Sequence, residues 1–246
     1  MTTRGTAVLV HGAWQGAWCW ERVLNLLEAD GHHVMTPALT GCGSRAHLLT
    51  PDVGVDTHVS DVVAAIDDVG EDDVVLVGHS YSGMLLPGAA AARAQRLRSV
   101  VFVDAFHPRR GDSAIDMMPS GFQDRFRSIA AEEGEGWRLP ASEALLDVWG
   151  LDDPADRVWV GERLSDWSLV CFESEMNAPT GPLDDLPRWF VAGSRDCPSR
   201  SVFAGIAIAA ADAGCTVVEA SSGHDVMIEA PDTLAQIIAD AMGAAR

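Results

Sequence analysis

The sequence predicts an α/β fold: a mostly parallel sheet flanked by helices and interrupted once by a helical insertion. Three observations point to it. Short apolar runs alternate with longer stretches of helical period. The runs are continuously apolar rather than alternating, as in a sheet buried on both faces. The rhythm lapses between about residues 108 and 185, then returns.

Taken in order, Thr6 to Val10 reads as a buried strand ending at His11-Gly12, and Trp18 to Ala29 as a helix stopped by Gly31. His33 to Thr36 is a short strand before Pro37. Asp56 to Val69 places Val59, Val62, Val63, Ile66 and Val69 on one helical face. Val74 to Val77 is a strand, and Gly83 to Ala94 an alanine-rich helix with an awkward Pro87 near its start. Ser99 to Val103 is a strand ending at Asp104. The following stretch, rich in Trp, Pro, Asp and Glu, contains no clear strand. Arg188 to Ala192 and Thr216 to Val218 then read as strands, Ser199 to Ala211 and Pro231 to Met242 as helices. The expected organisation is a core domain of residues 1–107 and 186–246 with a helical lid at 108–185.

Composition narrows the function. The 246 residues carry 17 basic and 36 acidic side chains, a formal charge of −19. Such a surface repels phosphate backbones and anionic lipid, so neither nucleic acid nor a membrane is an expected partner. Every basic residue is arginine, which excludes chemistry on a lysine amine. Five widely spaced cysteines without a CxxC motif fit reduced thiols in a cytoplasmic protein. No apolar run approaches the roughly 18 residues of a membrane span. Metal-ligand spacings such as HExxH are absent, Gly41-x-Gly43 lacks the third glycine of a dinucleotide loop, and no cofactor is expected.

The strongest chemical signal is Gly78-His79-Ser80-Tyr81-Ser82-Gly83, directly after a strand and before a helix. It resembles the nucleophile elbow of α/β-hydrolases. A tight strand-to-helix turn lifts one hydroxyl above the sheet at the positive end of a helix, and small neighbours prevent collision. Ser82 stands where the pattern has glycine, and serine is still small. A hydroxyl needs a base to act as a nucleophile. In this family the order along the chain is Ser, acid, His. His224, in Ser221-Ser222-Gly223-His224-Asp225, follows the last strand and precedes the last helix, the family's place for its histidine. Of eight histidines it alone lies in that loop with a small-residue approach. Asp196 follows the preceding strand, a frequent place for the acid, and is preferred. Asp104, at an earlier strand end, is the alternative. The backbone N–H groups of Tyr81 and Ala13 are the expected oxyanion donors, with Gly12 permitting the turn.

His11-Gly12-Ala13-Trp14-Gln15-Gly16-Ala17-Trp18-Cys19-Trp20 resembles the start of the hydroxynitrile lyase and plant methylesterase branch of α/β-hydrolases and its bacterial relatives. Val103-Asp104-Ala105-Phe106-His107-Pro108 and Gly223-His224-Asp225-Val226-Met227 resemble those bacterial relatives too. The likeness covers residues 6 to about 110 and about 186 to the end. Plant-type lyases of the branch place a lysine beside the histidine and a threonine where this chain has Gly12. Here Asp225 is the neighbour, expected to disfavour a departing anion, and the residues resemble the esterase side. The resemblance implies a serine esterase taking a small to medium, fairly apolar substrate: a methyl ester, carbamate or lactone. A lyase on the same residues and a small-molecule receptor are the alternatives. The expected partner is that small molecule, with a homodimer admissible. The insertion's Trp137, Trp149, Trp159, Trp167, Phe122, Phe126 and Phe172 are expected to pack it onto the core, a few of them walling a pocket above Ser80.

Overall fold

The computed structural model describes residues 4–244, so residues 1–3 and 245–246 of the expected core segments lie outside the described residues. In chain order the elements are β1 (Thr6–Val10), α1 (Glu21–Ala29), β2 (His33–Met35), α2 (Val55–Asp68), β3 (Val74–His79), α3 (Leu86–Arg93) and β4 (Leu97–Val103). Then come α4 (Ser120–Glu133), β5 (Arg138–Leu139), α5 (Ala144–Trp149), α6 (Pro154–Gly161), β6 (Trp167–Ser168), α7 (Leu169–Glu173) and α8 (Gly181–Asp184). The chain closes with β7 (Arg188–Gly193), α9 (Arg200–Asp212), β8 (Thr216–Ala220), α10 (Val226–Glu229) and α11 (Pro231–Gly243).

Six strands form one sheet in the order β2-β1-β3-β4-β7-β8, every pairing parallel. Parallel strands need crossover helices, which cover both faces and explain the unbroken apolar runs. β1 and β3 are buried along their whole length. α1 and α11 pack together, α11 lying across β1, β3 and β4, while α2 pairs with α3 and α9 covers β7 and β8. The chain winds outward from β1 to β2, then crosses back to β3. That reversal opens a crevice at the carboxyl ends of β1 and β3, where sheets of this kind place ligands. Among the described residues, no helix is long and apolar enough to cross a membrane.

Three details depart from the sequence reading. Both expected long helices near the sheet's carboxyl edge begin as tight 3₁₀ turns, at Ala17–Trp20 and Ser80–Met84. The α-helix after the second turn therefore starts at Leu86, and Pro87 falls in its first turn, where its missing N–H costs nothing. The stretch between β4 and β7, read without strands, contains an antiparallel pair, Arg138 opposite Ser168 and Leu139 opposite Trp167. Two residues per strand are too short to show a period of two.

Candidate active site

The turn after β3 gives Ser80 a positive φ of 54°. A non-glycine residue adopts that region only when its surroundings hold it there. They do: the Phe106 N–H donates to the Ser80 carbonyl at 3.1 Å, and a Cβ at Gly83 would lie 1.9 Å from the Phe106 oxygen. Glycine at 83 is thus what lets the two backbones touch. Ser82 does more than fit. Its buried hydroxyl donates to the His11 carbonyl, tying the elbow to the loop after β1.

That loop presses on the same point. A Cβ at Gly12 would sit 2.8 Å from His79 Nδ1 and 2.9 Å from Ser80 Cβ. His11 holds the loop from below. Its Nε2 accepts from the Leu39 N–H at 3.1 Å, so Nδ1 carries the proton and donates to the Gly12 carbonyl at 2.9 Å. Burial pushes this imidazole down to about 4, so it stays neutral. Ala13 follows Gly12 and is buried, and Tyr81 opens the turn after Ser80, where amides have no partner within the helix. Trp14, at φ 61°, donates from Nε1 to the Leu139 carbonyl at 3.1 Å.

The Ser80 hydroxyl donates to His224 Nε2 at 2.9 Å, and His224 Nδ1 donates to Asp104 Oδ2 at 2.7 Å. The structure therefore brings Ser80 and His224 together and sets Asp104, the alternative, on the imidazole rather than the preferred Asp196. The reason lies in the backbone after β7. Gly193 runs directly against the His224 loop, where a Cβ would lie 2.2 Å from the Gly223 oxygen. The next amides, of Ser194 and Arg195, donate to Ala220 and Ser222. The chain is thus tied down before Asp196, whose side chain turns out to an exposed surface cleft beside Pro198 and Ser201. What β7 contributes is the Gly193 N–H, which donates to Asp104 Oδ1 at 3.1 Å.

Contacts that no local motif announced hold the histidine. Its N–H donates to the Trp149 carbonyl at 2.9 Å, and a Cβ at Gly223 would lie 2.5 Å from that oxygen. Phe203 stacks on the imidazole at 4.7 Å, 15° from parallel. Asp225 is also not where its sequence position suggested. It does not line the cleft; it is fully buried behind His224, accepting from Gln15 Nε2 at 2.7 Å, and burial lifts its carboxyl to about 6.

Above Ser80 and His224 lies a cleft walled by Trp14, Phe106, Phe122, Phe126, Trp149 and Phe172. Four of these were among the insertion's aromatics. Trp167 instead packs beneath Trp14 and Tyr81, and Trp159 packs edge-on to Trp18. A second cleft shares Trp14, Phe122, Phe126, Val148 and Trp149 with the first. Among the described residues, no group of three His, Cys, Asp or Glu side chains is disposed to hold a metal ion. The arrangement can draw a proton from Ser80 while an apolar molecule lies against it.

The profile of the Alpha/beta hydrolase family matches residues 7–237. A carbendazim hydrolyzing esterase from Nocardioides sp. (strain SG-4G) is 35% identical over 240 residues, covering 94% of this chain and 97% of that protein. Methylesterase 2 of Arabidopsis thaliana is 36% identical over 148 residues, covering 59% of this chain and 52% of that protein. Among solved structures, an extracellular alpha/beta-hydrolase from a Paenibacillus species superposes with a TM-score of 0.81 at 20% identity, covering 96% of this chain and 98% of that one. The pyrethroid hydrolase PytH superposes with a TM-score of 0.78 at 23% identity, covering 98% and 99%. The two superpositions speak to the fold.

Proposed function

The chain belongs to the Alpha/beta hydrolase family, and on that premise we propose that it is a serine esterase cleaving small to medium, fairly apolar esters or related acyl compounds. The observation that carries the reading is the unbroken hydrogen-bonded series from Ser80 through His224 to Asp104, at 2.9 and 2.7 Å. Ser80 Oγ attacks the acyl carbonyl as His224 Nε2 takes its proton. Asp104 holds the imidazole tautomer and stabilises the charge that forms. The Ala13 and Tyr81 amides receive the oxyanion. Collapse of the tetrahedral adduct breaks the acyl–oxygen bond, and His224 returns the proton to the departing alcohol. Water, deprotonated by His224, then attacks the acyl-enzyme and releases the acid. The segment 108–185 acts as the lid whose aromatic residues cover the cleft.

Support for an apolar substrate comes from the aromatic walls. Methyl esters and carbamates enter as candidates because relatives are named methylesterases and a carbendazim hydrolyzing esterase. Against a plant-type lyase stand the absence of any lysine and the crowding at Gly12, where a threonine would strike His79 and Ser80. The test is hydrolysis of p-nitrophenyl and methyl esters by wild type and by Ser80→Ala. Multiple turnover that falls by at least about 10³-fold in the variant supports the reading. A folded wild type inert across the panel overturns it.

A further inference from the structure

Three polar side chains meet in the core behind His224. Gln15 Nε2 donates to Asp225 Oδ1 at 2.7 Å. The same oxygen lies 3.9 Å from His79 Nε2, which donates to the His224 carbonyl at 3.1 Å. The His79 and His224 rings stand 4.6 Å apart. All three residues are buried. Their chain positions matter most: Gln15 lies two residues after Ala13, His79 immediately precedes Ser80, and Asp225 immediately follows His224.

The cluster is a poor device for stability. Asp225 Oδ2, Gln15 Oε1 and His79 Nδ1 are buried without a hydrogen-bond partner, and a carboxylate in such a place resists ionisation. A hydrophobic filling would hold the loops more cheaply. What the polar set supplies is direction, since each bond fixes one site segment relative to another, and a negative charge behind the imidazole.

We propose that Asp225 is a positioning residue: with Gln15 and His79 it locks the Ala13 loop to the segments carrying Ser80 and His224, and its charge stabilises the imidazolium formed in turnover. The proposal rests on the esterase reading of Ser80 and His224. Asp104, on Nδ1, and His79, behind the ring, are the other titratable groups facing His224. Glu229 and Cys19 interact electrostatically with Asp225, and His11 with His79. Replacing Asp225 alone leaves all of these in place.

Asp225→Asn is nearly isosteric, keeps an acceptor for Gln15, and adds an N–H donor among acceptors that lack one. Expected for p-nitrophenyl butyrate is a kcat reduced several-fold, with KM little changed. The acid limb of kcat/KM against pH moves to lower pH by about half a unit or more, because the protonated imidazole loses an attracting charge. Thermal stability at pH 8 equals or exceeds that of wild type. Gln15→Leu removes the link and also the hydrogen bond that favours the Asp225 charge, so it lowers kcat about tenfold and moves that limb the same way by less than Asp225→Asn does. A residue that merely supports the fold would lower stability with activity and leave the limb in place. Wild-type kcat and pH profile in both variants overturn the inference, and so does an Asp225→Asn variant that loses activity only in proportion to lost folded protein. Ser80→Ala keeps the two readings apart. If it abolishes turnover while both variants match wild type, only the inference fails. If it retains turnover, the esterase reading fails and the inference with it.

Discussion

Asp104 sits at φ 41°, in the left-handed region, with its carboxylate buried. Both conditions cost free energy, the backbone of order 1–3 kcal/mol, and both are offset at one point. The Asp104 N–H donates to the Val191 carbonyl at 2.7 Å, the Gly193 N–H reaches Oδ1, and His224 Nδ1–H reaches Oδ2. Asp104→Asn is therefore expected to lower kcat by roughly 10³- to 10⁴-fold, through the wrong imidazole tautomer, with the fold kept. Asp196→Asn, at an exposed position, is expected to stay within about twofold of wild type. Steady-state kinetics of the two variants decide between the aspartates, and the reverse pattern would restore Asp196. Ser80 and His224 were legible in the sequence because their signals are local: a six-residue elbow in one case, a loop between the last strand and helix in the other. The Asp104–His224 contact was not, because it depends on Gly193 abutting Gly223, a contact between residues far apart in the chain. Gln15 was hidden in the same way: it stands inside the segment 11–20, and its partner lies 210 residues away.

At the scale of elements, the stretch between β4 and β7 couples walls to chemistry. The β5–β6 pair and Asp166, which accepts from the Ala141 N–H at 2.9 Å, set the base of α5. The end of α5 then carries the Trp149 carbonyl that receives the His224 N–H. Trp14 bonds the loop after β1 to the same region, donating to Leu139 and accepting from the Ser165 N–H at 2.9 Å. That this stretch is mostly helical and aromatic could be read from composition; which rings face the cleft could not, since α4, α5 and α7 share the walls with the loops after β1 and β4. The second cleft gives a prediction about specificity. It continues the first across Trp14, Phe126 and Trp149, and Ala144 lines it at an exposed position away from Ser80. Each buried methylene contributes about 0.8 kcal/mol, about fourfold in kcat/KM. Wild-type kcat/KM is expected to rise along p-nitrophenyl acetate, butyrate, hexanoate and octanoate. Ala144→Phe, which fills the second cleft, is expected to flatten the rise beyond butyrate and leave acetate within about twofold. Parallel loss on all four esters would show that the second cleft takes no part of the substrate.

The whole molecule sets groups with opposed pH responses against one another. His11, His58 and His79 are buried, and burial lowers the pKa of each, His11 to about 4. Their stabilisation is complete above the unfolded histidine value of about 6.5 and is lost as pH falls through the lowered native values. Asp225 responds the other way. Its native value of about 6 lies above its ordinary 3.8, so the fold is favoured at low pH and penalised as pH rises through that window. Two pKa units correspond to about 3 kcal/mol, and a chain of this length shifts its Tm by about 2–4 °C per kcal/mol. Surface repulsion, from a net charge of −19, eases as pH falls toward the pI, but salt near 0.15 M screens it beyond about 8 Å. Three neutral histidines against one aspartate leave a net loss, so wild-type Tm is expected to decline from pH 7 to pH 4. Asp225→Asn removes a buried carboxyl that gains on acidification. Its Tm is expected to exceed that of wild type at pH 8, by up to about 10 °C, and the excess is expected to shrink to nothing near pH 4, where the wild-type carboxyl is itself largely protonated. Melting curves of both proteins in steps of half a pH unit, at fixed salt, measure the difference directly. A gap that stays constant with pH would mean that Asp225 titrates alike in the folded and unfolded chain, and one that still widens beyond pH 8 would mean that it folds neutral and that the charge it lends His224 is absent.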